Sequence, residues 1–428
     1  MTPNDRNPVP AREMVEQCLQ TVLPPEALLP GEDEDWIKTG LLDSMAHVDV
    51  LLCIETRLAS PGLFSRMSDG PPTTTRAAAQ IVRNFRQSLE VETEASPSPN
   101  ESGPDGRCGI AGWGFALGSA RVASGKIEEE FDLPKGTLKD RAGIDSVCRA
   151  SASECEISLA TAAAQQALEV AGVSAQDLDW IVTTTETLLG FPSLAASLHS
   201  TLLATSACRV LDIGGACVGL LNCFVTANAL FSDRAVSCIA IASADVHSRL
   251  LSPGKVPGEF GGLFGDGASA FVLRRTNEKD DPPLYSVRAS IGSCSGTFSS
   301  VLRVRPDANA AIVLDFDGQA LARAAVERIE RIVSDLERSS GVKREAVSAF
   351  ALHQPNPRLV ATLLRRAKLR ADRVPLVAKN CGNLGSSTCG VALSTALDVH
   401  ARKPRGERGP IFAASVGPGL LWTGIVLT

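Results

Sequence analysis

Residues 91–106, VETEASPSPNESGPDG, constrain this chain more than any other stretch. They are rich in Pro, Ser, Gly and Glu and show no apolar periodicity, so they read as a flexible linker. As a coil, the segment spans roughly 20–24 Å root-mean-square. The 428 residues must therefore fold on either side of it, as a head (1–90) and a body (107–428). At roughly 100–200 residues per domain, the body has ample length to bury a core.

Charge follows the same division. Residues 1–95 hold 8 Lys/Arg and 15 Asp/Glu, a balance of −7, against −6 for the whole chain. An acidic head on a nearly neutral body is the pattern of an interaction module. Net negative charge and an aromatic content of only 4% exclude a phosphate-backbone binder or a base-stacking RNA reader. No apolar run approaches the roughly 18 residues of a membrane span. The opening MTPNDRNPVPAREM has no apolar leader core, so a cytoplasmic protein is expected. Twelve cysteines run from Cys18 to Cys389 without one C-x-x-C pair, and there are five histidines. No metal site is expected, and most of the cysteines read as small buried apolar residues.

The head is predicted to be helical. Met14, Val15, Cys18, Leu19 and Val22 form a stripe at i, i+3/i+4 spacing within 12–22. A proline- and acid-rich loop covers 23–35. A second helix starts near Ser44 and runs through MAHVDVLLCIETRL, and a third spans 75–89 behind a threonine run that can cap it. In the body, strands are predicted at 109–113, 180–184, 236–242 and 268–273, then at 285–290, 347–353, 411–415 and 421–427. Helices are predicted at 156–171, 194–203, 218–230, 320–338, 358–367 and 387–401. Two β/α sets of similar length predict a duplicated α/β architecture with halves at about 107–277 and 284–428. Its parallel sheets would be buried between helix layers.

Four local patterns carry chemistry. In Thr39-Gly-Leu-Leu-Asp-Ser44, a glycine-containing loop delivers a serine to a helix start. A capping serine and a modified serine both fit that spacing. In Gly214-Gly-Ala-Cys217-Val-Gly219, a cysteine opens a helix after the strand-like 209–213. There, unpaired N–H groups and the positive dipole end favour a thiolate. In Ala351-Leu-His353-Gln-Pro-Asn356, a histidine ends a strand, at the edge where open α/β sheets bind ligands. In Asn380-Cys-Gly-Asn383-Leu-Gly-Ser-Ser387, a small-residue loop opens a helix, with Asn383 either a turn residue or a donor.

Taken together, Cys217, His353 and Asn383 resemble ketoacyl synthase III, a condensing enzyme of the thiolase fold. The resemblance covers nearly all of 107–428 and is most specific in HQPNPR and GNLGSS. It is supported by Arg141-Ala-Gly-Ile144, Phe191-Pro-Ser193, Gly265-Asp-Gly-Ala268 and SVGPGLLWTG. It implies duplicated βαβαβ halves layered α/β/α/β/α, and a homodimer. Cys217 would attack an acyl thioester, and the N–H groups of Cys217 and Gly417 would hold the oxyanion. His353 and Asn383 would donate to the carbonyl of a second, malonyl-type thioester as it loses carbon dioxide. A transfer of the acyl group to a hydroxyl, an amine or another carrier without carbon–carbon bond formation is the alternative on the same fold.

The head, through GLLDSM, its acidic loop and the following helix, resembles an acyl carrier protein over about residues 10–90. That implies a phosphopantetheine arm on Ser44, installed by a phosphopantetheinyl transferase. Two departures bear on the substrate. Thr137 stands where CoA-using relatives carry a Trp, and Gly258 and Glu259 stand where an Arg is common. Both favour a carrier-bound substrate over acyl-CoA. Arg141, Arg149, Arg358, Arg365 and Arg366 are the implied docking residues for an acidic carrier domain. Phe191 is implied to reach the partner subunit's acyl tunnel.

Overall fold

The computed structural model describes residues 9–58, 64, 71–87, 108–275, 284–295, 301–306 and 312–428. They group into two compact units. The first holds the described residues up to 87 with Asp317–Glu327, and the second holds the remainder. The expected linker at 91–106 lies outside the described residues.

In the first unit, α1 (Ala11–Gln20), α2 (Ser44–Arg57) and α3 (Thr75–Gln87) enclose a small core. Val15, Cys18 and Leu19 of α1 meet Val50, Leu51 and Ile54 of α2 and Ala78 and Val82 of α3, with Trp36 and Phe64 filling the gaps. Thr74 caps α3 through the Ala77 amide at 3.2 Å, as the threonine run predicts. At α2 the cap is Asp43, whose carboxylate accepts the Ala46 N–H at 2.7 Å. Ser44 is thus the first helical residue rather than the cap.

The second unit runs β1 (Cys108–Leu117), β2 (Ala120–Ala123), α4 (Ser124–Glu130), β3 (Ser146–Arg149), α5 (Glu156–Ala171), β4 (Trp180–Thr184), α6 (Leu194–Thr201) and β5 (Arg209–Asp212). It continues through α7 (Gly219–Leu230), β6 (Cys238–Val246), α8 (His247–Leu250), α9 (Gly258–Gly261), β7 (Asp266–Arg275), β8 (Tyr285–Ser293), β9 (Leu302–Pro306) and β10 (Ile312–Phe316). The last elements are α10 (Gly318–Ser340), which belongs to this unit only from Arg328 onward, β11 (Ala349–Leu352), α11 (Pro357–Ala367), α12 (Ala378–Cys381), α13 (Thr388–Ala401), β12 (Ile411–Gly417) and β13 (Leu421–Leu427). Among the described residues no helix is long and apolar enough to cross a membrane.

Nine strands form one sheet in the order β11-β12-β13-β8-β1-β7-β6-β4-β5. Parallel sheets are expected from the sequence; the observed sheet is mixed. Among the described strands, β4–β5, β4–β6 and β11–β12 run parallel and the other pairs antiparallel. A three-residue turn (Pro418–Leu420) joins β12 to β13, too short for the crossover a parallel pair requires. The duplication is visible in the pairing itself. Across β4-β6-β7-β1 the contacts are parallel, antiparallel, antiparallel, and β11-β12-β13-β8 repeats that series.

Both faces of the sheet are covered, which is why β6 and β12 are buried along their whole length and read as unbroken apolar runs. Ile239 and Ile241 of β6 point toward α7 and α13, while Ala240, Ala242 and Ala244 point toward α5 and α6. Helix α13 buries ten of its fourteen residues, as a helix enclosed on nearly all sides must. Helix α5 approaches β1 so closely that a Cβ on Gly112 would lie 2.0 Å from the Ala167 carbonyl oxygen. The sequence pattern passed over β2, β3, β9, β10 and α4, which are short. Of these, β2 is largely exposed.

Candidate active site

The functional side chains gather at one edge of the sheet, where β4, β6, β11 and β12 all end. Strand β5 leads into a tight turn at Gly215 (φ +143°), Ala216 (φ +47°) and Cys217 before α7 begins. A left-handed alanine costs about 1–3 kcal/mol and persists only where the surroundings enforce it. Here the enforcement is visible. Gly219 abuts Thr184, whose Oγ1 would be 2.1 Å from an added Cβ, and the Ser415 hydroxyl donates to the Cys217 carbonyl at 2.7 Å. Gly417, at the end of β12, packs directly on the cysteine. A Cβ placed on it would lie 3.5 Å from both Cβ and N of Cys217. Glycine backbone at 215 and 417 thus flanks the cysteine.

His353 follows the last residue of β11 and donates its backbone N–H to Ala414 at 2.9 Å. Its ring is buried, and Nδ1 has no protein partner. Burial, reinforced by the neighbouring His247, pulls its pKa down to about 4 despite Glu186. The imidazole is therefore neutral at physiological pH.

Asn383 is held from both sides. Its backbone bonds Leu263 O at 2.8 Å and the Gly265 N–H at 2.9 Å. Its amide oxygen accepts the Gly385 N–H at 3.0 Å and the Thr388 hydroxyl at 3.1 Å. The oxygen end of the amide is thereby spent on its own loop, which makes Nδ2 the end presented as a donor.

Beneath these three lies a group that sequence reasoning missed, comprising Glu186, Asp245 and His247. Glu186 lies just past β4, Asp245 is the second-last residue of β6, and His247 opens α8. Asp245 is fully buried. It accepts from the Glu186 N–H at 2.5 Å, the Ser386 N–H at 2.9 Å and the Ser386 hydroxyl at 2.6 Å. Glu186 Oε2 lies 3.4 Å from His247 Nε2. The three are close enough to one another to resemble a metal-binding set, but the Asp245 oxygens are already filled by these donors. Gly385 (φ +57°) is needed here, because a Cβ would come 2.3 Å from His247 Cε1. The available signal was positional, since TTTET and SADVH both place an ionisable residue at the carboxyl end of an apolar strand.

The charges follow from burial and pairing. Burial opposes ionisation of His247, but Glu186, Asp245 and Asp266 outweigh it and push it up to about 9. Burial likewise works against the Glu186 carboxylate, yet His247 and then His353 hold it below the usual range. Asp245 is raised to about 6 by burial and by Glu186. Cys217 is raised well above an ordinary thiol by burial, then by Glu186 and Asp245. The resting thiolate expected from the helix start is thus overridden by desolvation and two carboxylates.

The expected docking residues differ in exposure and pairing. Arg141 and Arg358 are exposed. Arg149 is ion-paired with Glu130 at 2.5 Å, and Arg366 with Glu330 at 3.0 Å. Arg365 is exposed and donates to the Thr362 hydroxyl at 3.1 Å. Phe191 stands 99% exposed on the loop before α6. At Gly258 an added Cβ would be 2.9 Å from Phe131 and Leu133, so no side chain fits there.

Two family models match this chain. One is 3-oxoacyl-[acyl-carrier-protein] synthase III, over residues 211–290, and the other is the C-terminal part of the same synthase, over 336–428. A beta-ketoacyl-[acyl-carrier-protein] synthase III of Neisseria meningitidis serogroup A is 26% identical over 325 residues, covering 74% of this chain and 98% of the relative. The crystal structure of 3-oxoacyl-[acyl-carrier-protein] synthase III from Aquifex aeolicus superimposes with TM-score 0.66 at 25% identity, over 75% of this chain and 99% of that one. The priming beta-ketosynthase of the R1128 polyketide pathway matches in fold, with TM-score 0.66 at 22% identity, over 77% of this chain and 98% of that one. The second unit thus has the thiolase-like α/β fold of ketoacyl synthase III.

Proposed function

We propose that this protein is a ketoacyl synthase III-like acyltransferase that catalyses a decarboxylative Claisen condensation. It would do so in a fatty-acid- or polyketide-like pathway. The carrying observation is the convergence of a thiol, a neutral imidazole and an amide donor at one sheet edge. Cys217 Sγ attacks the acyl thioester, the acyl–Sγ bond forms, and the donor's thiol departs. The Cys217 and Gly417 N–H groups cradle the oxyanion. His353 and Asn383 then donate to the carbonyl of a malonyl-type thioester. Neutral donors suit this step, because a carboxylate there would repel the enolate left when carbon dioxide departs. The enolate carbon attacks the acyl-Cys217 carbonyl, and the cysteine sulfur leaves. Simple acyl transfer, the alternative, releases no carbon dioxide.

The head would act as the carrier. Ser44 opens a 14-residue helix whose cap is supplied by Asp43. A phosphopantetheine arm attached there would supply the thiol on which acyl groups ride. The lack of space at Gly258 supports a carrier-bound rather than CoA-bound substrate, and exposed Phe191 supports a homodimer whose tunnels it would line. Incubation with a phosphopantetheinyl transferase and CoA should add one arm per chain by intact-protein mass spectrometry, and Ser44→Ala should abolish it. An unmodified wild-type head, or an arm that survives Ser44→Ala, would remove the carrier assignment.

A further inference from the structure

Glu186 has no part in the reaction sequence above, yet it stands beside its nucleophile. Oε2 leans on His247 at 3.4 Å. Oε1 is buried without a well-formed hydrogen bond, and the Cys217 side chain neighbours this carboxylate. We propose that Glu186 is the catalytic residue that takes the Cys217 proton during acyl loading, with His247 as the positioning residue that holds its carboxylate. This rests on Cys217 being the acylated residue.

The step balances within the site. As Sγ bonds to the acyl carbon, its proton passes to Glu186 Oε1. As the bond from that carbon to the departing sulfur breaks, the same proton moves to that sulfur, which leaves as a thiol. The charge count favours this route. Losing the thiol proton to solvent would leave two anions side by side in a desolvated site, whereas transfer to Glu186 keeps one. His353 is the other imidazole beside Glu186. Taking the proton there would set a second cation beside His247 and spend the neutral donor needed for the next step.

The groups facing Glu186 set the pH window. They are Asp245 (about 6), His247 (about 9), His353 (about 4) and the Cys217 thiol, with Asp266 acting on His247. Between pH 7 and 8.5 Glu186 stays ionised and paired, so loading needs no preformed thiolate. Quenched-flow loading of S-acetyl-pantetheine onto Cys217, read by peptide mass, should be nearly pH-independent across that window. Glu186→Gln should load roughly 100-fold more slowly and gain about tenfold per pH unit, since only preformed thiolate would then react.

Iodoacetamide supplies the opposite sign. Removing the negative charge lowers the thiol pKa, so the variant's Cys217 should alkylate faster while the other buried cysteines stay protected. A Glu186→Gln enzyme that loads as fast as wild type with the same flat profile overturns the proposal. So does one slowed equally toward both reagents, which would make Glu186 a scaffold residue. A wild type that never forms acyl-Cys217 overturns the function proposed above, and this inference with it.

Discussion

Cys217→Ala is expected to abolish the acyl-enzyme and to lower product formation by roughly 10⁴-fold or more, because the covalent route has no substitute nucleophile. Two neighbouring buried cysteines cannot take its place. Cys223 and Cys389 are buried inside α7 and α13, where desolvation raises their thiols. The substitution also leaves the fold intact. The turn is held by backbone and by Gly215, Gly219 and Ser415, and the neighbouring Ala216 already occupies a left-handed conformation. The check is intact mass after incubation with an acyl thioester. A mass increase that survives Cys217→Ala would relocate the nucleophile.

The second large effect is expected from Asn383→Asp. The carboxylate retains both bonds that fix the loop, accepting from the Gly385 N–H and the Thr388 hydroxyl. What it loses is the Nδ2 donor, and what it adds is a negative charge near Glu186 and Asp245. Loading of Cys217 should stay within a few-fold of wild type. Condensation should fall by roughly 10²–10³, the cost of removing one donor from a developing oxyanion. Equal loss of loading and condensation would mean that the amide maintains the site's structure rather than the enolate.

Much of this was legible before any coordinates. The strands at 180–184 and 421–427 and the helix at 156–171 have the bounds their apolar patterns indicate. Cys217, His353 and Asn383 lay in segments whose strand-to-loop context marked them. The mixed sheet was not legible, since periodicity reports which faces are buried and not the direction in which strands pair. The electrostatics were not legible either. A helix start argues for a thiolate, but the decisive carboxylates come from Glu186 and Asp245, 31 residues before and 28 after the cysteine. Only the sheet order that places β4 beside β6 brings them under it. The ion pairs of Arg149 with Glu130 and of Arg366 with Glu330 were not legible either, since a count of basic residues does not show such partners.

The most direct test of the account is to follow carbon dioxide and product together. Purified protein, an acyl thioester and a malonyl thioester should release one carbon dioxide for each ketoacyl product formed, with both lost in Cys217→Ala. Acyl-Cys217 that forms and turns over while no carbon dioxide appears would contradict condensation and leave simple acyl transfer in its place.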